Sequence, residues 1–469
     1  MHLIPASWSH FHMLISVFPS VGLIFALGFY LAGLATNNEL MKKSCLFVFG
    51  GLGVLIALTY FSGLYSVPAL GDRHYVLQGD VAEHQSFSVA STLISVIAGA
   101  LAWFVLWRSW KTPTVAKGGA LGVLVLEAAN LIAVAGAAWE GWNINHHREF
   151  NFPTPEMGTP TIWAHIHVIL NHFPTVGFVF ALFFFILGLV QKNNGLIRGS
   201  LVTFVCCAVL GAPTYVTGAA AMFSLTQPPV QGVTQAIINA HRDFALLSLF
   251  GLAATGCAAW IEIWRYRYLN RFSKISLNVV LVLAFITLAI MAETGHRGGQ
   301  INHPEIHLAG DLLRTDPTLG WSAYIELAIN NVIWFVPWQT VHFFGYTLVF
   351  ATVLFVCLRI LGLFKKASFP AVHRVLPLGV FGVTMNIFTG MLMLLADTSR
   401  YVNEPSFWPK MFFLPIGAIA VLYFSLSDKL WAVKSGDDAP AGAKAVAVLV
   451  LLSWTIVIMG GRLLPYVTL

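Results

Sequence analysis

Apolar residues fall in twelve long blocks, at about 10–35, 44–68, 85–108, 118–140, 162–190, 199–223, 242–264, 275–293, 338–362, 372–396, 411–428 and 445–462. Each approaches or exceeds the roughly 20 apolar residues a helix needs to cross a bilayer. Lipid offers the backbone no hydrogen-bond partners, so each block predicts a spanning helix that satisfies its own peptide groups. The stretch 318–336 is apolar as well, but it carries Glu326, Asn330 and Asn331 and meets Pro337. It predicts a helix lying along the interface. The expected fold is an all-α integral membrane protein of about twelve transmembrane helices, arranged as three four-helix bundles: 1–155, 156–315, and 316–469 with the interfacial helix included.

Composition strengthens this picture: 57% of residues are hydrophobic and 10% charged, against roughly 25% charged in soluble domains. The first apolar block lacks a basic leader and a small-residue cleavage site, which predicts a retained helix. Charge then sets an orientation. One set of alternate loops holds 18 of the 26 Lys and Arg residues, including Lys42, Lys43, Lys117, Arg198, Arg267, Arg359 and Lys429, and the opposite, longer set holds 8. Short cytoplasmic loops are enriched in Lys and Arg, so both termini are expected on the outer, periplasmic face of a bacterial inner membrane. The net charge of +6 follows from that bias and implies no nucleic-acid partner. The five cysteines lie in or beside apolar blocks with no Cys-x-x-Cys-His, which predicts neither covalent c-type haem nor a disulfide framework.

An internal correspondence changes the meaning of the histidines. Residues 10–34 align with 165–189 at a constant offset of 155, matching His10/His165, His12/His167, Phe18/Phe173, Pro19/Pro174, Gly22/Gly177 and Gly33/Gly188. The register continues through Thr59, Tyr60 and Gly63 against Thr214, Tyr215 and Gly218. It then shifts to 157 for His84 and Phe87 against His241 and Phe244, and closes with Ile144-Asn145-His146 against Ile301-Asn302-His303. The first eight spans therefore read as a tandem repeat, followed by a separate C-terminal bundle.

Thirteen of the 16 histidines map to the outer end of this topology. A porphyrin iron held inside a four-helix bundle needs one neutral imidazole from each of two helices at similar depth. The first and third helices of each unit supply that pair: His10 or His12 with His84, and His165, His167 or His172 with His241. His10 and His12 lie about 200° apart on an ideal helix, so at most one faces the bundle interior. An isolated helix-end histidine is more often an interfacial hydrogen-bonding residue, but recurrence in both units favours ligation. In the C-terminal bundle, His342 at the outer end and His373 at the other are separated by on the order of 25–30 Å of helix and cannot share an iron. A haem on His342 would need His296, His303, His307 or a methionine.

Other residues carry quieter expectations. Pro19 and Pro174 predict helix kinks, and Gly22, Gly33 and Gly63 with their equivalents predict close packing. Glu127 is a candidate for a proton path. Glu293, Arg297, Arg400, Glu404 and Lys410 could flank a quinone headgroup.

The tandem units resemble an uncharacterised bacterial four-helix membrane domain whose first helix opens with a His-Pro-x-x-Val-His-Phe-Pro type sequence. The match is closest at His167 and His172-Phe173-Pro174. The first unit keeps His12 but has Val17 in place of the second histidine. The family's closing Gly-Gly and distal His resemble Gly298-Gly299 and His303. The resemblance, over about 8–307, implies haem b and association with periplasmic c-type cytochromes. Residues 318–469 resemble a second uncharacterised membrane family through His342-Phe343-Phe344-Gly345, Leu358 to Leu363, Thr389-Gly390 and Arg400-Tyr401 with Phe407 and Lys410.

The expected function is a b-type cytochrome membrane subunit of a respiratory complex, an electron-transfer subunit without a catalytic residue of its own. It would pass electrons between the quinone pool and a periplasmic redox subunit, a c-type cytochrome above all, in contact with lipid and other membrane subunits. Candidate haem-binding residues are His10, His12, His84, His165, His167, His172, His241, His303 and His342. A transporter is the rival suggested by twelve spans and duplication. A non-haem metal oxidase is the rival suggested by His146-His147 and the His303/His307 spacing.

Overall fold

The structure is a computed structural model that describes residues 7–70, 78–150, 162–226, 234–302 and 320–464, with the side chains at 70, 142, 143, 145–150, 224, 226, 302 and 332 left aside. Four helices come first: α1 (Trp8–Ala35), α2 (Glu39–Ser66), α3 (Gln78–Ser109) and α4 (Lys117–Phe150). A second four follow: α5 (Ile162–Val190), α6 (Asn194–Thr226), α7 (Gln235–Leu269) and α8 (Lys274–Asn302). The remainder comprises α9 (Trp321–Ile329), α10 (Val332–Leu361), α11 (Phe369–His373), α12 (Leu376–Ala396), α13 (Thr398–Asn403), α14 (Phe407–Leu426), α15 (Asp428–Trp431) and α16 (Ala441–Leu463). Among the described residues there is no strand, and twelve helical stretches are long and apolar enough to cross a membrane. The chain is an all-α, multi-pass integral membrane protein.

The hairpins α1–α2 and α5–α6 turn the same way, with glycine and asparagine matched at Gly33/Gly188 and Asn38/Asn193. Asn37 and Lys192 both take φ 51°. The following residues, Asn38 and Asn193, return their N–H groups to Gly33 O and Gly188 O at 2.9 Å, as in a left-handed helix stop. Their side chains then cap the next helices, accepting from Met41 N and Leu196 N at 3.0 Å, which satisfies donors left open at a helix start.

In each group consecutive helices pack side by side, and α1 meets α4 as α5 meets α8. The two groups join along α1 and α5 in a reciprocal manner. Gly22 lies against the Phe180 ring and Gly177 against Phe25, while Phe29 and Phe184 stack at 4.3 Å. Asn38 and Asn193 exchange two amide hydrogen bonds of 3.0 Å. Residue i touching j+155 while j touches i+155 is the mark of an isologous contact about a two-fold axis. Since equivalent residues meet at equal depth, that axis runs along the helices.

The C-terminal helices do not form a closed ring of their own. α10 packs on α12 and α16, and α14 packs on α16, but α12 also lies on α7 and α14 on α6. One apolar core consequently runs from Phe178, Phe204 and Trp260 in the second group to Val353, Phe424 and Trp454. Arg359, 1% exposed, closes the loops at the base by donating to Lys434 O and Asp437 O at 3.0 and 3.2 Å and to Ala367 O.

The stretch expected to be an interfacial helix ending at Pro337 is divided differently. α9 stops at Ile329, and Asn331 caps a new helix by accepting from Ile333 N at 3.0 Å, so 332–336 belong to the spanning helix α10. Pro337 falls inside α10; so near the start it removes one ladder bond and does not end the helix. α9 is held by protein as well: Asp243 accepts from Trp321 N and Ser322 N at 3.2 and 3.0 Å, and Arg242 pairs with Glu326 at 2.6 Å.

Candidate functional site

Four histidines share one pose. Nδ1 of His12 lies 2.9 Å from Thr59 O, that of His84 3.0 Å from Ala137 O, that of His167 2.9 Å from Thr214 O and that of His241 3.0 Å from Thr294 O. Each carbonyl belongs to the next helix in the chain. A carbonyl oxygen only accepts, so Nδ1 carries the proton in each ring, and in the neutral imidazole the lone pair is left on Nε2. That tautomer, with Nδ1–H given to a backbone carbonyl, is the arrangement by which proteins orient metal-ligating histidines.

Glycine makes the approach possible. Four residues beyond each accepting carbonyl stands Gly63, Gly141, Gly218 or Gly298. Helical side chains lean back toward the N-terminus, so the side chain at i+4 covers the carbonyl of residue i. A β-carbon at these glycines would lie 3.0, 2.8, 2.7 and 2.9 Å from the Cε1 atoms of His12, His84, His167 and His241. Neighbouring hydroxyls add to the pose: Ser62 Oγ is 3.1 Å from His12 Nδ1 and Thr217 Oγ1 3.4 Å from His167 Nδ1. Ser88 Oγ reaches His84 Nε2 at 3.4 Å, at the outer limit of a hydrogen bond.

One pair of rings meets: the centroids of His167 and His241 are 6.3 Å apart with planes at 75°. His12 and His84 hold the corresponding places on α1 and α3. With a metal–imidazole bond of about 2 Å and about 1.1 Å more to the ring centre, two imidazoles on opposite sides of one metal have centroids roughly 6 Å apart. The His167–His241 spacing fits that requirement. No group of three or more His, Cys, Asp or Glu side chains among the described residues could cage a metal ion; a haem would ask only two imidazoles of the chain.

The remaining candidates separate from this set. His10 lies on the other side of α1 from His12, its ring 5.6 Å from that of His296 at 31°, so it bridges α1 to α8 and His12 is the residue facing α2. His165 is buried near the start of α5. His172 turns its Nδ1 back onto Val168 O of its own helix at 2.5 Å and takes no part in the His167–His241 pair. His303, like His307, lies outside the described residues, and the side chains of His146 and His147 are outside the description too. His342 repeats the pose in altered form: its Nδ1 is 2.9 Å from Thr389 Oγ1, which itself donates to Met385 O at 2.7 Å. A hydroxyl there relays the carbonyl that glycine exposes elsewhere. Of its proposed partners, His296 is instead placed against His10. His373 is fully buried beside Ser425 and Trp431.

The residues considered for a quinone headgroup are held in two places. Glu293 binds Arg297 on α8 at 2.8 Å, whereas Arg400 donates to Leu464 O at 3.4 Å. The partners that sequence reasoning missed are the carbonyls. Gly63 and Gly218 were expected as packing positions and Gly298 only through the family resemblance, while Gly141 was not singled out, and nothing in the sequence says which ring they admit.

Residues 164–304, comprising α5–α8 and both rings of the 6.3 Å pair, match the family described as "Predicted membrane protein (DUF2231)". No curated protein and no solved structure matches the chain. The family description assigns membrane character and no activity.

Proposed function

We propose that this protein is a b-type cytochrome membrane subunit in which α1–α4 and α5–α8 are copies of one haem-binding unit. His12 and His84 would hold one haem, and His167 and His241 a second. The bound iron would supply reversible one-electron transfer. The chain's own part is to fix two neutral imidazoles per unit through Nδ1–H donation and to surround the pair with apolar helices. The reading extends to a bacterial inner membrane with both termini periplasmic, electrons passing between membrane quinone and a periplasmic c-type cytochrome.

The observation that carries it is the fourfold recurrence of histidine, carbonyl and glycine, twice in each of two similar groups. Duplication that served only helix packing would not require the same tautomer four times. The test is the visible spectrum of the purified protein after dithionite reduction, with haem counted as the pyridine haemochrome. His167→Ala and His241→Ala should each remove about half of the haem, and His172→Ala should leave it in place. A reduced spectrum without b-type bands would overturn the reading.

A further inference from the structure

The two groups diverge halfway down the helices. In the first, Glu127 on α4 is 1% exposed, with Asn130 Nδ2 donating to its Oε2 at 3.0 Å and Ser95 Oγ of α3 donating to Asn130 Oδ1 at 2.6 Å. Oε1 is buried and has no hydrogen-bond partner among the described residues. The positions related by the offset of 157 are Ala284, Thr287 and Leu252, and there Thr287 simply meets Thr255 at 3.2 Å. A carboxyl group at this depth, without a cation beside it, is costly in its charged form and marks a functional site by default.

A cleft approaches it along its own helix. This cleft of about 620 Å³ opens at the basic-loop end between the α1–α2 and α3–α4 turns, lined by Glu39, Lys42, Thr114, Ala120, Leu121 and Leu124. Leu124 of its lining is three residues before Glu127, about one helical turn or roughly 4.5 Å. The groups around the carboxyl are Asn130 on α4 and Ser95 on α3. On α1, Tyr30 gives its hydroxyl to Ala120 O two turns nearer the cleft mouth. On α2, Glu39 and Lys42 pair with each other at 2.5 Å.

We propose that Glu127 is a proton-binding site, filled from the basic-loop face, that takes up a proton when the His12–His84 centre is reduced. This rests on the haem reading above. Ala137, whose carbonyl holds His84, is ten residues along α4 from Glu127, about 15 Å. Across that apolar interval an added electron raises the carboxylate's energy with little screening. With a haem held by His12 and His84, the electron would come from a quinol or from dithionite, one proton would enter from the basic-loop face, and an O–H bond would form at Glu127 Oε1. Reoxidation would release the electron and the proton together.

The second group, with alanine at the equivalent position, is the internal control. Potentiometric titration of the haem-loaded protein in lipid nanodiscs between mildly acid and mildly alkaline pH should show one haem whose potential falls as pH rises. It should be the haem lost in His12→Ala. Glu127→Gln should remove most of that slope, and Glu127→Asp, which keeps an ionisable group, should retain part of it. The redox infrared difference spectrum should contain a carboxylic acid band that Glu127→Gln abolishes. Haem bands with an unaltered slope or an unaltered infrared band in Glu127→Gln would overturn this proposal alone. Absence of haem would overturn it together with the function.

Discussion

The two four-helix groups hold their histidines alike and are buried differently. At the histidine end, Thr59 with Gly63 and Thr214 with Gly218 present the same exposed carbonyl to the same ring. Away from it, the most apolar stretch of α6 is 67% buried within the protein, that of α2 50%, because α12 and α14 lie on the second group while the first has no such cover. Lipid therefore faces more of the first group, with Phe47, Trp103, Phe104 and Trp107 exposed along it. Shared chemistry at one end and divergent surroundings elsewhere suggest that the ring pose constrained the residues more tightly than the packing did.

The largest difference is expected from adding a methyl group at the glycines. Gly218→Ala places its β-carbon 2.7 Å from His167 Cε1, whereas Gly63→Ala leaves 3.0 Å to His12. The more confined ring has less freedom to move aside, so, on the proposed haem reading, Gly218→Ala should cost more haem than Gly63→Ala. Alanine in a helix interior is otherwise favoured over glycine by up to about 1 kcal/mol. Loss of haem without loss of thermal stability of the apoprotein, read by pyridine haemochrome and melting in detergent, would locate the effect at the ring. Equal haem in both variants would break the comparison.

A smaller effect tests the joint between the groups. Asn38→Ala removes both reciprocal amide bonds to Asn193 and the cap on α2. At about 1 kcal/mol net for each bond lost, the variant should unfold earlier by denaturant titration while the content of the proposed haems is unchanged. Differential loss of one haem would show that the joint positions the rings.

The smallest effect lies at the basic-loop end. The Arg267 guanidinium, bonded to Asp428 at 2.5 Å, holds that carboxyl below the usual carboxylate range. A lowered acid contributes stability above its unfolded pKa, and the contribution disappears as pH falls through the folded value. Asp428 is largely exposed, so the pair is worth at most about 1 kcal/mol. Asp428→Asn should lower the melting temperature slightly at neutral pH and leave it unchanged in acid, below the folded value. A loss of equal size at both pH values would assign the effect to packing.

Much of the architecture was legible in the chain. The apolar blocks located all twelve spans, because a helix in lipid must be long, apolar and self-satisfied. Their ends were less legible: α3 begins at Gln78 and α7 at Gln235, earlier than the apolar blocks at 85 and 242, since polar residues beyond the hydrocarbon can continue a helix without being apolar. Asn331 outweighed Pro337 as the boundary of α10 for a related reason: a cap acts locally, whereas proline is tolerated near a helix start.

The sequence by itself determined that histidines recur at matched depth, since offsets of 155 and 157 can be read off directly. It could not choose between His10 and His12, or among His165, His167 and His172, because a helix places neighbouring residues on different faces and only the contact with a second helix selects one. Tertiary structure decided that His12 meets Thr59, that His10 meets His296 and that His172 bonds its own helix. It also decided that the C-terminal helices share a core with the second group alone. Apolar faces of spanning helices look alike in composition whether they touch lipid or protein, and only packing distinguishes them.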